Sequence, residues 1–169
     1  EDAAYITRDG NFLVEGQVLD LRNKQPRNLQ EVMLAKKRAN LLATATLPST
    51  NLVIRYPAGQ AVKHRLFVLV DTDCGFCQKL HSDLPALQTA GIEVNMLPYP
   101  REGVSSHSAQ VMSRIWCQKE APALLTQLMT QGDSLLDPAI ACPASELIAQ
   151  GFALGGALKV VGTPAIFNE

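Results

Sequence analysis

The feature that most constrains the fold is a buried strand that leads directly into a pair of cysteines and then into a helix. The apolar run LFVLV at 66–70 is short and rich in β-branched and aromatic residues, as is typical of a buried strand. The motif CGFC follows at 74–77, and leucines then recur three to four residues apart over 80–87, which predicts a helix. Gly91 supplies the stop. The two cysteines therefore lie where a strand ends and a helix begins.

This position favours thiol chemistry. The first turn of a helix carries unpaired N–H groups and the positive end of the helix dipole, and both stabilise an anion. Because a thiolate is the attacking species in disulfide exchange, we expect Cys74 to be the exposed nucleophile. Cys77, one turn further along, is expected to be the resolving thiol that closes the ring and frees a trapped partner. The stretch therefore predicts a redox site.

The other two cysteines, Cys117 and Cys142, leave alternatives open. Four thiolates can hold a structural zinc ion, but this second pair is 25 positions apart and the first pair opens a helix, so we expect no metal. A disulfide between Cys117 and Cys142 would close a moderately long loop and contribute on the order of 3 kcal/mol in the chain-entropy description. Two buried thiols are the alternative.

Composition narrows the class of function. The 169 residues are 47% hydrophobic and 18% charged, with a formal net charge of −1. This length suffices for one domain with a buried core plus a small appendage. Near-neutral charge without a basic cluster argues against a nucleic-acid partner, and the apolar runs are too short for a membrane span. Four cysteines are compatible with an oxidising compartment.

The N-terminal part predicts a small α+β unit. An Asp-Gly turn at 9–10 predicts a hairpin whose second strand runs over 12–19. Gly16 inside that strand indicates a bulge or a close approach by another chain, and an ordinary hairpin packed on its own domain is the alternative. A helix is expected over 28–45. Residues 46–60, with two prolines and a glycine, predict a linker, although the apolar residues within it could add a strand.

The C-terminal part alternates strands and helices. Pro85 should interrupt the active-site helix. A strand near 92–97 is followed by helices near 105–119, 122–129 and 145–158. Thr163 and Pro164 then precede an apolar run, where a proline removes a ladder donor. A cis Thr163–Pro164 bond in a tight turn would explain this, and a trans loop proline is the alternative.

Three polar residues near the cysteines have no role fixed by the sequence. His81 lies about two helical turns from Cys74, too far for direct proton transfer, so we expect it to be solvated or to cap the helix. Asp71 and Asp73 flank the pair, and negative charge there would oppose thiolate formation.

The order of these elements resembles the thioredoxin fold. The stretches DTDCGFCQKLH, LPYPREGVSSHSAQVMSRIWC and ALGGALKVVGTPA are similar to those of the DsbC/DsbG family of bacterial periplasmic disulfide isomerases. The N-terminal YITRDGNFLVEGQVLDL resembles the end of that family's dimerisation domain. The resemblance implies an α/β (α+β) architecture with three segments: a partial, cystatin-like dimerisation domain (1–45), a linker (46–60), and a thioredoxin-like catalytic domain (61–169) with a helical insertion near 104–144.

Roles for the active-site residues follow from this resemblance. Cys74 corresponds to the nucleophile and Cys77 to its resolving partner. Thr163 and Pro164 correspond to the cis-proline turn that faces the dithiol and binds the substrate backbone. The dipeptide between the cysteines, Gly75-Phe76, is expected to contribute a close backbone approach and an apolar contact surface for substrate.

Further expectations concern assembly. Cys117 and Cys142 match the family's structural disulfide, and the strand around Gly16 matches its dimer interface. The resemblance implies a periplasmic homodimer without a cofactor, which isomerises or reduces misfolded disulfide-containing secreted proteins and is kept reduced by a DsbD-type membrane electron donor. A thiol oxidase, or a DsbG-like reductase and holdase chaperone, is the alternative on the same fold.

The sequence departs from the family pattern in three ways. Gly75-Phe76 stands where the family usually has Gly-Tyr, which should alter contacts more than mechanism. The first part of the dimerisation domain is absent, and the sequence ends at Glu169, before the family's last strand and helix. We therefore expect this sequence to be part of a longer chain.

Overall fold

A computed structural model describes residues 4–22, 24–47, 50–132 and 144–168. Contacts divide the chain into two compact units, Glu1–Asn40 and Leu41–Glu169. The strands and helices, in chain order, are β1 (Ala4–Ile6), β2 (Leu13–Glu15), β3 (Leu19–Asp20), β4 (Arg27–Asn28), α1 (Leu29–Ala45), β5 (Ile54–Tyr56), β6 (His64–Val70), α2 (Gly75–Ser82), α3 (Leu84–Thr89), β7 (Ile92–Pro98), α4 (His107–Ile115), α5 (Ala121–Gln131), α6 (Ser145–Ala157) and β8 (Ala165–Asn168).

The first unit consists of short strand pairs and most of α1. β1 and β2 form an antiparallel hairpin, as the Asp-Gly turn predicts. The expectation of one long strand over 12–19 is wrong, because the strand stops at Gly16 and β3 pairs with β4 instead. The φ of Gly16 is +130°, a conformation that only glycine adopts without strain. Asn28 caps α1, accepting the amide of Gln30 at 2.9 Å.

Many large apolar side chains of the first unit are exposed. Because a unit of this size needs most of its apolar residues to form a core, it has little core of its own. These exposed residues, which we call the apolar set, are Ile6, Phe12, Leu13, Val14, Leu19, Leu21, Val32 and Met33.

A four-stranded sheet with the order β5-β7-β6-β8 forms the centre of the second unit. β6 and β7 are parallel, whereas β5 and β8 are antiparallel to their neighbours. The predicted buried strand is β6, whose side chains alternate between two cores, with Val68 and Val70 in one and Leu69 in the other. Since parallel strands end at the same edge of a sheet, the loops that start at Asp71 and Tyr99 lie side by side.

Part of the stretch predicted as a linker belongs to this sheet. β5 lies within 46–60, and its residues Ile54 and Tyr56 are buried in the core. The boundary between the two units falls between Asn40 and Leu41, inside α1. The prolines and small polar residues of this stretch are typical of a linker. Burial of the apolar side chains of Ile54 and Tyr56, which point to the same face, nevertheless holds the segment in the sheet. The assignment of dimerisation and catalytic roles to the two units stays a prediction.

The helices cover both faces of the sheet. The predicted active-site helix is interrupted at Asp83, before Pro85, which gives α2 and α3. Ser106 caps α4, since its hydroxyl accepts the amide of Ala109. Two short helices, α4 and α5, lie in the predicted insertion, whose residues 133–143 are outside the described ranges. Among the helices that the structure describes, none combines the length and apolarity required to cross a bilayer.

Candidate active site

β6 and α2 place the two cysteines where the sequence predicts them. Cys74 is the N-cap of α2, with an extended backbone (φ −103°, ψ 112°). Its carbonyl oxygen accepts the amides of Cys77 at 2.9 Å and of Gln78 at 3.1 Å. Both thiols are free, so this is the dithiol form of the pair.

The expectation of an exposed nucleophile is wrong. Only 4% of Cys74 is exposed and Cys77 is fully buried, whereas Phe76 between them is 75% exposed. The turn before β8 covers the nucleophile, since the Cys74 thiol donates to the Thr163 carbonyl oxygen at 3.2 Å. A local sequence pattern could not reveal this cover, because the two residues are 89 positions apart.

The turn at Thr163 and Pro164 has the predicted form. The peptide bond between them is cis. The Thr163 hydroxyl is buried and has no hydrogen-bond partner in this dithiol form. It is therefore available to donate to an anion that forms beside it.

The pKa of Cys74 lies below its usual value. Burial opposes ionisation, but donors that stabilise the ionised sulfur outweigh it: the Thr163 side chain, the backbone and thiol of Cys77, and the backbone of Phe76. Thr163 acts in two opposite ways. Its carbonyl accepts the thiol proton and favours the neutral form, whereas its hydroxyl favours the thiolate. Because the pKa of Cys74 is lowered overall, stabilisation of the thiolate is the larger effect at this sulfur.

The pKa of Cys77 moves in the opposite direction. It is raised to about 12, mainly by burial and to a smaller extent by donation of the thiol proton to Cys74. The same S–H donation lowers the pKa of Cys74. The two thiols are therefore chemically unequal, with the anion favoured on Cys74.

The two aspartates differ in their surroundings. Asp71 is buried, and its carboxylate accepts the backbone amides of Asp73 at 2.9 Å and Arg101 at 2.8 Å. It also forms an ion pair with Arg101 at 3.0 Å. Asp73 is exposed and lies 3.1 Å from Nδ1 of His107.

The sequence reasoning missed Arg101, although a signal existed: Arg101 lies shortly after β7, as Asp71 lies directly after β6.

The expectation of a solvated or capping His81 is wrong. The side chain is 2% exposed, and its Nε2 lies 3.0 Å from the Thr126 hydroxyl on α5. Its ring packs edge-on against Tyr56 at 5.2 Å. Burial lowers the pKa of His81 to about 4, so the ring is neutral at physiological pH. His81 follows Cys77 by one helical turn, so both side chains lie on the face of α2 that packs against α5.

The remaining site residues are placed as follows. Gly75 starts α2 with open space beside its Cα. Cys117, at the end of the α4 region, is disulfide-bonded, so it offers no thiolate for the alternative zinc site. Cys142 lies outside the described residues, and the 117–142 pairing stays a prediction. Among the described residues, no group of three or more His, Cys, Asp or Glu side chains could hold a metal ion.

Comparison with known proteins agrees with this geometry. The thioredoxin-like domain family matches residues 57–168, which is most of the second unit. The chain belongs to this family. Within the thioredoxin-like proteins, the chain is 36% identical over 162 residues to the thiol:disulfide interchange protein DsbC of Escherichia coli K12, an alignment that covers 96% of the chain and 63% of the relative. The chain thus spans less than two thirds of the length of this curated relative.

Solved structures of other thioredoxin-like proteins share the fold. A disulfide interchange protein from Neisseria gonorrhoeae superposes with a TM-score of 0.58 at 22% identity, covering 70% of this chain and 84% of that protein. Helicobacter pylori DsbG superposes with a TM-score of 0.57 at 16% identity, covering 99% of this chain and 82% of that protein. These identities are too low to transfer residue roles, so they support the fold.

Proposed function

We propose that this protein is a thiol:disulfide interchange enzyme that isomerises or reduces non-native disulfides through Cys74 and Cys77. The observation that carries the proposal is the opposite displacement of the two pKa values, lowered for Cys74 and raised to about 12 for Cys77. A nucleophile must be ionised before it attacks, whereas a resolving thiol must stay protonated until the mixed disulfide has formed. The 36% identity to a thiol:disulfide interchange protein supports the same reaction class.

The reaction has two steps. The Cys74 thiolate attacks one sulfur of a substrate disulfide, an S–S bond to Cys74 forms, and the other substrate sulfur leaves as a thiolate. In isomerisation, a substrate thiolate then attacks the mixed disulfide and returns Cys74 as a thiolate, with no net change in oxidation state. In reduction, Cys77 loses its proton and attacks Cys74, which releases reduced substrate and leaves a 74–77 disulfide.

Reduction consumes two electrons for each turnover. The dithiol must then be regenerated by a partner, and a DsbD-type membrane donor is the partner that we propose. Such a cycle fits a periplasmic location, where misfolded secreted proteins carry non-native disulfides. The equilibrium reduction potential of the 74–77 pair separates this reading from a thiol oxidase, which would hold a much less negative value than a reductase.

Substrate is proposed to bind beside the cis-proline turn. Phe76 is largely exposed, Gly75 has no side chain, and Val161 before the turn is fully exposed. These residues, with Thr163 and Pro164, offer an apolar and sequence-tolerant contact for an extended or misfolded chain.

The test of the proposed reaction is recovery of ribonuclease activity from a scrambled ribonuclease whose disulfides are non-native. We expect the wild-type chain and Cys77→Ser to restore activity in a glutathione buffer, and Cys74→Ser to be inactive. Restoration by Cys74→Ser at the wild-type rate would contradict the proposal. Circular dichroism of each variant shows whether a loss reflects unfolding.

Homodimerisation through the first unit is a further part of the proposal. The apolar set gives this unit exposed surface that a second copy could cover, and Gly16 has open space beside its Cα. Sedimentation equilibrium should detect a dimer, and Gly16→Arg should weaken it. Gly103→Arg is the matched control, since Gly103 also has a positive φ and open surroundings but lies in the second unit. Equal dimer fractions in both variants would argue against this interface.

The same apolar set supports a second candidate function, a holdase chaperone that binds unfolded chains independently of thiol chemistry. The Cys74→Ser/Cys77→Ser double variant should then still suppress aggregation of a cysteine-free client. Phe12→Ser should weaken this suppression. If the double variant gives no protection, the chaperone candidate is wrong while the interchange reaction is unaffected.

A further inference from the structure

The loop after β6 and the loop after β7 are joined by one buried carboxylate. Asp71 is 1% exposed. Its Oδ2 accepts the backbone amide of Arg101 at 2.8 Å and the guanidinium Nε of the same residue at 3.0 Å. Its Oδ1 accepts the amide of Asp73 at 2.9 Å. A nearly inaccessible carboxylate thus has three N–H donors, and Arg101 supplies two of them.

Asp71 also holds the backbone of the nucleophile, Cys74. The amide of Cys74 donates to the main-chain carbonyl oxygen of Asp71 at 3.2 Å. Residues 71–74 therefore form a turn fixed at both ends, with the Asp71 side chain tied to the β7 loop and the Asp71 carbonyl tied to Cys74. If the Asp71 carboxylate moved, the Asp71 carbonyl would move with it. The position of Cys74, which is bonded to that carbonyl, would then change.

Further contacts hold the two loops together. The amide of Tyr99 donates to the Val70 carbonyl oxygen at 2.8 Å, which continues the pairing past the end of β6. The Asp73 carboxylate lies 3.1 Å from Nδ1 of His107, at the start of α4. The Tyr99 contact joins the loop after β7 to the end of β6, and the His107 contact joins the loop after β6 to the start of α4.

Charge at this edge also bears on the thiolate. An uncompensated carboxylate three residues before Cys74 would disfavour an anion at the sulfur. The guanidinium of Arg101 neutralises Asp71, and the pKa of Arg101 is raised mainly by its hydrogen bond to Asp71, with smaller contributions from the charges of Cys74 and Cys77. Arg101 is thus within electrostatic reach of both sulfurs. Asp73 and His107 are two further charged or titratable side chains at this edge.

We propose that Arg101 is a positioning residue for the Cys74 nucleophile: it fixes the Asp71 carboxylate, and with it the turn that carries Cys74, and its charge prevents that carboxylate from opposing the thiolate. The proposal rests on the proposed interchange function only for its biological meaning. Its physical content, the ionisation of Cys74, is measurable without any substrate protein.

The test is the rate of Cys74 alkylation by iodoacetamide across pH, followed by peptide mass spectrometry. Arg101→Met keeps the length of the side chain and removes its charge and donors. We expect the alkylation profile to shift to higher pH and the rate at low pH to fall by about three- to tenfold, because fewer thiols are ionised while each remaining thiolate is somewhat more nucleophilic. In Arg101→Lys the rate should fall less, since lysine retains the charge and the backbone amide contact but loses the Nε contact to the Asp71 carboxylate.

Two controls separate this effect from general destabilisation. Arg65→Met removes a comparable pair at the other end of β6, where Arg65 lies 3.3 Å from the largely buried Glu93 and is 46% exposed, against 42% for Arg101. It should leave the Cys74 profile unchanged. The Asp71→Asn/Arg101→Met double variant removes both charges, so its profile should return toward that of the wild type.

The outcomes are distinct. An unchanged profile in Arg101→Met, or an equal shift in Arg65→Met, would overturn the proposal. A shift in Arg101→Met that the double variant does not reverse at all would overturn the electrostatic part. A wild-type chain that fails to refold scrambled ribonuclease would instead contradict the proposed function, with the alkylation result still valid.

Discussion

The thiol sulfur of Cys74 lies 3.2 Å from the carbonyl oxygen of Thr163, and the hydroxyl of the same threonine is buried without a partner. One residue therefore supplies an acceptor for the neutral thiol and a donor for the thiolate. Because a buried donor without a partner is costly, its cost is relieved when Cys74 ionises. The cis-proline turn thus helps to set the acidity of a nucleophile that lies 89 positions earlier in the chain.

Replacing Thr163 with valine should raise the pKa of Cys74. Valine keeps the size and branching of threonine but has no donor, so the thiolate loses a hydrogen bond. We expect alkylation of Cys74 at low pH to slow by about three- to tenfold. Thr72→Val is the control, since the Thr72 hydroxyl is also buried without a partner but does not contribute to the pKa shift of Cys74. Equal effects in both variants would exclude a specific role for Thr163.

Replacing Cys77 with serine should trap the mixed disulfide. The resolving attack on Cys74 is lost, so reduction by the second step should stop while isomerisation by substrate thiols continues. With a peptide disulfide as substrate, non-reducing gels and mass spectrometry should show a covalent adduct at Cys74. Absence of the adduct, with Cys74 still reactive toward iodoacetamide, would argue that Cys77 is not the resolving thiol.

The free energy of unfolding should decrease as the pH is lowered from 6.5, because His81 is buried as a neutral ring. Its pKa falls from 6.5 to about 4 in the folded protein, so the unfolded chain binds a proton first as the pH decreases. Stability is therefore lost progressively between pH 6.5 and 4, by about 3 kcal/mol at most, and no further below that range. Urea unfolding at pH 7 and pH 4.5 should show a smaller difference for His81→Gln than for the wild type. His64→Gln, at an exposed position, should keep the wild-type difference; a wild-type difference in His81→Gln would contradict this account.

Gly155→Ala should destabilise the second unit. A Cβ on Gly155 would lie 2.2 Å from two ring carbons of Tyr99, which stacks on Phe152 and donates through its hydroxyl to the Val160 carbonyl oxygen. Relieving that clash requires the ring or α6 to move, so we expect a loss of about 1–3 kcal/mol in the free energy of unfolding. Gly156→Ala, in the same helix but with open space, should be neutral or stabilise by up to about 1 kcal/mol. Equal effects in urea unfolding would contradict the close approach.

Local patterns in the sequence predicted the elements that carry the site. The apolar run before Cys74 indicated β6, the leucine spacing indicated α2, and Pro85 marked the break between α2 and α3. A helix was expected near 105–119, where α4 lies, and a cis bond was one of two alternatives for the proline before the last apolar run. These features depend on the conformational preferences of a few consecutive residues, and those preferences can be inferred from the sequence.

Expectations that depended on distant contacts were less successful. His81 was expected in solvent because its helix was considered alone, whereas α5 and Tyr56 enclose it. The expectation of an exposed nucleophile was wrong for the same reason, since a distant turn covers Cys74. For the linker predicted at 46–60, the alternative of an added strand is the one observed, since β5 pairs with β7. The partition of residues 12–19 into two strands depended on which segment pairs with β3.

The sequence by itself determined that a dithiol would stand at the start of a helix after a buried strand, because periodicity and capping act within a single segment. Only the tertiary structure decided how acidic that dithiol is. The donor from Thr163, the neutralisation of Asp71 by Arg101 and the burial of Cys77 all arise from segments that are separated in the chain. Hydrogen bonds, charge pairs and desolvation depend on distances in space, and packing of the sheet and helices sets those distances.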